Sequence, residues 1–236
     1  MQHILSYMRK AIIDYKMIQP GDRIAVGVSG GKDSVVLLTG LGRLQKFLGI
    51  PFEVAGITLD PQFGGKPCDY GILAEYFAKE EVVYHIKRTN IGEVVFDVRK
   101  ESNPCSLCAR MRRGALHDVA KELGFNKIAL GHHRDDAAET FLMNLFHEGR
   151  IACFSPVSYL SRKDLTMIRP LAYAPERIIR NTAARLQMPI VKSQCPVDGK
   201  TTRQKTKEFI AQQEKLSPGF GQRIFGAMKR AGISGW

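Results

Sequence analysis

The chain has 236 residues, 44% of them hydrophobic, enough for one large α/β domain with a packed core. Lys and Arg number 35 against 23 Asp and Glu, a net charge of +12. A surplus of that size favours a polyanionic partner, because basic groups near phosphates release condensed counterions. No apolar run approaches the roughly 20 residues of a membrane span. The stretch Met1–Lys10 has no basic start followed by an apolar core, so a secretory signal and membrane attachment are not expected, and the cytoplasm is the expected compartment.

In chain order, the first apolar run is Arg23–Ser29, short, β-branched and flanked by Pro20-Gly21 and Gly30-Gly31. It reads as a buried parallel strand. Asp33 to Phe47 has helical composition, and the alternation continues with a strand near Phe52–Leu59, a helix near Tyr70–Lys79 and a strand near Val82–Ile86. A helix is expected from Ala109 to Leu123, stopped by Gly124. Lys127–Gly131 reads as the next strand and Asp135–Phe146 as the next helix. Strands alternating with helices predict an α/β fold, a doubly wound parallel sheet covered on both faces. After Gly149 the pattern loosens. One β segment is expected between Pro156 and Pro170, a helix over Ala174–Gln187 and a short strand at Pro189–Lys192. Residues 1–200 read as one catalytic domain, and 201–236 as a basic helical tail packed on it.

Between the first strand and first helix stands Ser29-Gly30-Gly31-Lys32-Asp33-Ser34. Two glycines allow a sharp turn and close approach to an anion. The helix N-terminus offers N–H groups to phosphate oxygens, Lys32 adds a charge, and Ser29 and Ser34 add hydroxyls. The spacing is not that of a Walker A loop, and Asp33 follows the lysine where Ser or Thr would stand. A carboxylate there suits pyrophosphate held together with Mg²⁺. The string resembles the signature of PP-loop ATP pyrophosphatases, which cleave ATP to AMP and pyrophosphate.

Gly131-His132-His133-Arg134-Asp135-Asp136 closes a strand and opens a helix. In a doubly wound sheet it faces the same crevice as the first loop, and its carboxylates can take Mg²⁺. Simple N-capping by Asp135 and Asp136 is the alternative reading. Five cysteines, an odd number, fit reduced thiols, metal ligands or redox chemistry better than a disulfide scaffold. Cys105 and Cys108 form one C-x-x-C ahead of a basic helix start. A structural zinc site usually needs a second such pair, and the sequence has none; Cys195, before Pro196, is the natural third thiol. Three cysteines on a 4Fe–4S cluster leave one iron open to exogenous sulfide. A cysteine persulfide is the competing route for sulfur. Cys68 and Cys153 read as ordinary thiols.

Together, the phosphate loop, Cys-Ser-Leu-Cys followed by Ala-Arg-Met-Arg-Arg-Gly, Gly-His-His-Arg-Asp-Asp and the late Cys-Pro resemble the tRNA 2-thiocytidine synthetase family over roughly residues 20–215. The resemblance implies a PP-loop, adenine nucleotide alpha hydrolase-like fold and thiolation of an anticodon-loop cytidine at tRNA position 32. It implies ATP contacts at Ser29, Gly30, Gly31, Lys32, Asp33, Ser34, Leu59, Gly131, His132 and Asp136. It also implies Mg²⁺ at Asp33 and Asp136 and a 4Fe–4S cluster on Cys105, Cys108 and Cys195, which are then the catalytic cysteines. The implied partners are tRNA and a sulfur donor, either a cysteine desulfurase or free sulfide; a homodimer is left open. A rival reading has the same chemistry acting on another tRNA base, a small molecule or a carrier protein.

Overall fold

The computed structural model describes residues 1–100, 104–196 and 202–236. Its helices are α1 (Gln2–Asp14), α2 (Lys32–Leu44), α3 (Gly71–Lys79), α4 (Ile91–Glu93), α5 (Pro104–Glu122), α6 (Arg134–Glu148), α7 (Glu176–Arg185), α8 (Thr202–Leu216) and α9 (Phe220–Arg230). The strands are β1 (Asp22–Gly27), β2 (Phe52–Asp60), β3 (Val83–Arg88), β4 (Lys127–Ala129), β5 (Val157–Leu160) and β6 (Leu165–Ile168). They form one sheet in the order β3-β2-β1-β4-β6-β5. Every neighbouring pair is parallel except β5 and β6.

The order has a direct consequence. From β1 the chain steps outward through β2 to β3, then returns to place β4 on the other side of β1. The winding reverses between β1 and β4, and in open α/β sheets ligands bind where the carboxyl ends of such strands part. The phosphate loop leaves β1 there, and the Gly131–Asp136 segment leaves β4.

Period-two burial divides the core between the two faces. Ile24, Val26 and Val28 face a cluster that includes α1, α2, α3 and α7. Ala25, Ile57 and Ile128 face α5 through Val119 and Ala120. Helix α2 is buried nearly all round, with Val35, Val36, Leu37, Leu38 and Leu41 inaccessible, as a helix between the sheet and α1 must be. The tail closes back onto the same core: Phe225, Met228 and Trp236 join the first cluster, and the Trp236 indole donates to the Phe154 carbonyl at 2.6 Å. No helix among the described residues is long and apolar enough to cross a membrane.

Several expectations need correction. No element was expected ahead of Arg23; α1 lies there, with Ile4, Met8, Ala11 and Ile12 buried at helical spacing. The single β segment after Pro156 is two strands, a hairpin that adds an antiparallel edge to the expected parallel sheet. The expected strand at Pro189–Lys192 is absent. The segment packs on the phosphate loop instead, where Val191 donates its N–H to the Gly30 carbonyl at 3.0 Å. Helix α5 starts at Pro104 rather than Ala109, which puts Cys105 and Cys108 inside its first turns. The expected boundary at 200/201 lies outside the described residues.

Glycine 56, in β2, shows how tightly sheet and helix meet. A Cβ there would lie 2.4 Å from Leu38 Cδ2 and 2.9 Å from Tyr84 Cδ2, with the first of these on a fully buried side chain. Gly56→Ala is therefore expected to lower stability by about 1–3 kcal/mol, the usual cost of overpacking. Urea denaturation of the variant checks this; an unchanged midpoint would contradict the close packing.

Candidate functional site

The phosphate loop is shaped by its own hydroxyls. The Ser34 hydroxyl donates to the Gly31 carbonyl at 2.9 Å and accepts the Ser29 N–H at 3.1 Å. The Ser29 hydroxyl accepts from the Gly31 N–H at 3.3 Å. Gly30 has φ +87° and faces Val191 so closely that a Cβ would sit 3.1 Å from it, so both the turn and the packing require glycine. Gly31 is the N-cap of α2 without a side-chain cap bond. The first turn of α2 thus presents backbone N–H groups that have no intrahelical partner.

The second loop meets the first backbone to backbone. A Cβ on Gly131 would lie 3.2 Å from both the Asp33 carbonyl carbon and the Ser34 nitrogen. Next to it, His133 caps α6 reciprocally with Asp136. The His133 N–H donates to Asp136 Oδ2 at 2.9 Å, and the Asp136 N–H donates to His133 Nδ1 at 3.3 Å. His133 Nε2 lies 3.4 Å from Asp136 Oδ2 and 3.8 Å from Asp33 Oδ1. Asp33 Oδ1 is buried without a hydrogen-bond partner, which is the state expected of an oxygen that receives a cation together with phosphate. His132 turns away, its ring 5.0 Å from that of Phe154. Burial, reinforced by Arg169, pulls its pKa down to about 4, so it is uncharged at neutral pH.

Lys32 is held from two sides, by Asp33 at 3.1 Å and Glu176 at 3.0 Å. Burial works against its charge, but the two carboxylates outweigh burial and raise its pKa. Glu176 also binds Lys207 of α8 at 2.9 Å, and its backbone N–H donates to Asp135 Oδ2 at 2.8 Å. Burial raises the Glu176 pKa, yet the Lys207 and Lys32 bonds prevail and bring it down to about 2. A carboxylate depressed in this way stabilises the fold above its ordinary range, and that stabilisation is lost as pH falls toward about 2. A second tail cation, Arg203, reaches Asp136 at 3.5 Å, Glu139 at 3.4 Å and the Thr140 hydroxyl at 3.1 Å. Glu139 is buried, and desolvation together with Asp136 raises its pKa. Neither Glu176 nor these tail contacts was singled out by the sequence reading.

The cysteines lie across the crevice. Cys105 is exposed, Cys108 buried and Cys195 half-buried. Burial raises the Cys108 thiol pKa, Arg112 lowers it, and the charges of Cys195 and Cys105 both push it up, so the three thiols act on one another. Among the described residues no group of three His, Cys, Asp or Glu side chains closes on a single ion. Arg112 lines two hollows that both reach Ser29. One, of about 220 Å³, is apolar and includes Leu59. The other, of about 180 Å³, is bounded by Asp60, Cys68 and Val191–Gln194, the segment leading into Cys195. Cys153 lies elsewhere; burial drives its pKa up to about 11, and its thiol donates to the Ala137 carbonyl.

The structure therefore brings Ser29–Ser34, Gly131 and Asp136 together at the strand ends, with Leu59 in the adjoining apolar hollow. It puts His133 rather than His132 between the two aspartates.

The chain matches the PP-loop domain family over residues 2–214. It is 40% identical to the tRNA-cytidine(32) 2-sulfurtransferase of Dechloromonas aromatica, over 93% of this chain and 77% of that protein. It is 36% identical to that of Geobacter sulfurreducens, over 93% and 86% respectively. Among solved structures it resembles the U34-tRNA thiolase NcsA from Methanococcus maripaludis with its [4Fe-4S] cluster, at TM-score 0.77 and 25% identity over 98% of this chain and 78% of that one. By its phosphate loop, its sheet and these relatives, the chain belongs to the tRNA-cytidine(32) 2-sulfurtransferase family of PP-loop proteins.

Proposed function

We propose that the chain is an ATP-dependent tRNA sulfurtransferase that adenylates and then thiolates cytidine 32, working in the cytoplasm with sulfur from a cysteine desulfurase or free sulfide. The observation that carries this reading is the convergence on Arg112: it lines both hollows at Ser29 and bears electrostatically on Cys108, which in turn feels Cys105 and Cys195. Nucleotide activation and sulfur delivery then share one crevice.

In the first step the cytidine O2 attacks the α-phosphorus of ATP and pyrophosphate leaves. The first-turn N–H groups of α2, the Ser29 and Ser34 hydroxyls and Lys32 neutralise the charge on the departing group. Asp33 and Asp136 would hold Mg²⁺; the orphaned Asp33 Oδ1 fits that role. In the second step a sulfur nucleophile adds at C2 and AMP departs, its phosphate balanced by Arg112.

Cys105, Cys108 and Cys195 would hold a 4Fe–4S cluster. Cys105 and Cys195 both lie within electrostatic reach of Cys108, which supports their acting as one set of thiolates. When bound, such a cluster supplies an iron without a protein ligand, open to exogenous sulfur. The resemblance to NcsA supports the cluster over a cysteine persulfide.

Anaerobically purified protein is expected to be brown with broad visible charge-transfer absorbance. Cys105→Ser, Cys108→Ser and Cys195→Ser should each lose the colour, and Cys68→Ser and Cys153→Ser should keep it. Colourless protein carrying stoichiometric zinc would reject the cluster.

With tRNA and ATP the products should be AMP and pyrophosphate, and nucleoside mass spectrometry of the tRNA should show 2-thiocytidine. Lys32→Ala should abolish both without unfolding the chain. Glu176→Gln should lower the rate of pyrophosphate release about tenfold or more while the thiolated nucleoside stays the same. ADP and orthophosphate as products would refute the PP-loop chemistry, and a different thionucleoside would move the target base.

A further inference from the structure

The 220 Å³ hollow beside the phosphate loop is floored by the carboxyl ends of β1, β2 and β4 and roofed by α5. Gly27 keeps it open, since a Cβ there would lie 3.0 Å from Leu116 Cδ2 and 3.3 Å from Leu130 Cδ2. Its volume exceeds the roughly 150 Å³ of a dry protein cavity that takes up benzene, so a planar heteroaromatic ring fits by size. Leu59, Leu116 and Leu130 give it the apolar faces such a ring needs.

One wall residue is out of character with that lining. His117, on α5, is 8% exposed, and its Nε2 is buried without a hydrogen-bond partner. Buried polar atoms are nearly always satisfied, and leaving one unmade costs its full desolvation. An orphaned imidazole nitrogen in the wall of an apolar hollow is therefore a group whose partner arrives with a ligand. Burial and the neighbouring Arg113 guanidinium push the imidazole pKa below its ordinary value. A lowered pKa disfavours the charged form, which suits an uncharged ring edge better than a phosphate. The phosphates have their own seat: Ser29 borders this hollow and also belongs to the phosphate loop. A nucleotide anchored there carries its own base covalently to the entrance, whereas a base from RNA would have to arrive separately.

Resting on the nucleotide reading of the phosphate loop, in which the hollow beside it is the seat of the adenine ring, we propose that His117 Nε2 hydrogen-bonds the edge of that ring, so that His117 sets which base is accepted. Sites that hydrogen-bond a specific ligand group discriminate against analogues lacking it more strongly than apolar sites do.

The test is calorimetric titration of the full chain with α,β-methylene-ATP, its guanosine counterpart and inorganic pyrophosphate. His117→Phe keeps an aromatic ring in the wall, a somewhat larger one, and removes Nε2. It should weaken the adenine nucleotide about 3- to 12-fold, the range of one net hydrogen bond, and narrow the preference over the guanosine analogue. Pyrophosphate affinity should be unchanged. His117→Gln, which retains a polar group, should recover part of the adenine affinity. Wild-type affinity for the adenine nucleotide in His117→Phe would overturn the proposal, and so would an equal loss for pyrophosphate. Unchanged nucleotide binding with weakened tRNA binding would overturn it in favour of an RNA base. If the unaltered chain binds neither α,β-methylene-ATP nor pyrophosphate, the reading of the loop itself fails, which is a distinct result.

Discussion

The Glu176 carboxylate ties together three segments that are far apart in the chain. It accepts from Lys32 of the phosphate loop and Lys207 of the tail, while its own N–H is fixed by Asp135 of the second loop. Its side chain is only 18% exposed. Removing one partner of a desolvated ion pair leaves an uncompensated charge, which costs far more than the pair contributes net. Each of the three segments is therefore constrained by the other two. The ammonium group that must meet phosphate is aimed by a residue 144 positions away in the sequence, and the tail takes part in that aim.

A second constraint sits on the backbone. A Cβ at Gly131 would crowd the Asp33 and Ser34 backbone at 3.2 Å, so glycine lets the two loops meet without displacing either. The reversal of winding between β1 and β4 supplies the crevice, and this contact decides that its two rims act as one site. Arg203 then covers the acidic rim from the tail side, against Asp136 and Glu139. On the proposed reading, Mg²⁺ at Asp136 would compete with Arg203 for one carboxylate, which would link metal–nucleotide binding to the seating of α8.

Much of this was legible in the sequence because it is local. A β-branched run followed by Ser-Gly-Gly-Lys-Asp-Ser encodes strand, turn and helix start within a dozen residues, and the α/β alternation gave the sheet as far as β4. What was not legible depends on distant partners. Val191 looked like a strand residue by composition, but its N–H goes to the Gly30 carbonyl of the phosphate loop and not to a neighbouring strand. His132 and His133 are indistinguishable by spacing. Only the reciprocal cap with Asp136 shows that His133 faces the aspartates. Helix α1 did leave a signal, in the 4, 8, 11, 12 spacing of its apolar residues. Glu176 left none, since an acidic residue at a helix start is ordinary in itself.

Helix α5 explains how two chemistries can use one crevice. Residues three and four apart lie on one helix face, so Cys105, Cys108 and Arg112 form a stripe, and Arg113 and His117 form its neighbour. The first stripe runs from the exposed thiol inward to the guanidinium that borders Ser29, and the second ends at the orphaned imidazole in the apolar hollow. On the proposed reading, a rigid helix would fix the distance between the cysteines and the nucleotide, which a loop carrying the same cysteines would leave variable. Arg112 sits between them and serves both, since it favours thiolate at Cys108 and lines the hollows on either side. On the proposed mechanism the cation that favours thiolate at Cys108 also balances the phosphate of the AMP that departs in the second step, so replacing Arg112 with a neutral side chain would weaken sulfur delivery and AMP departure together.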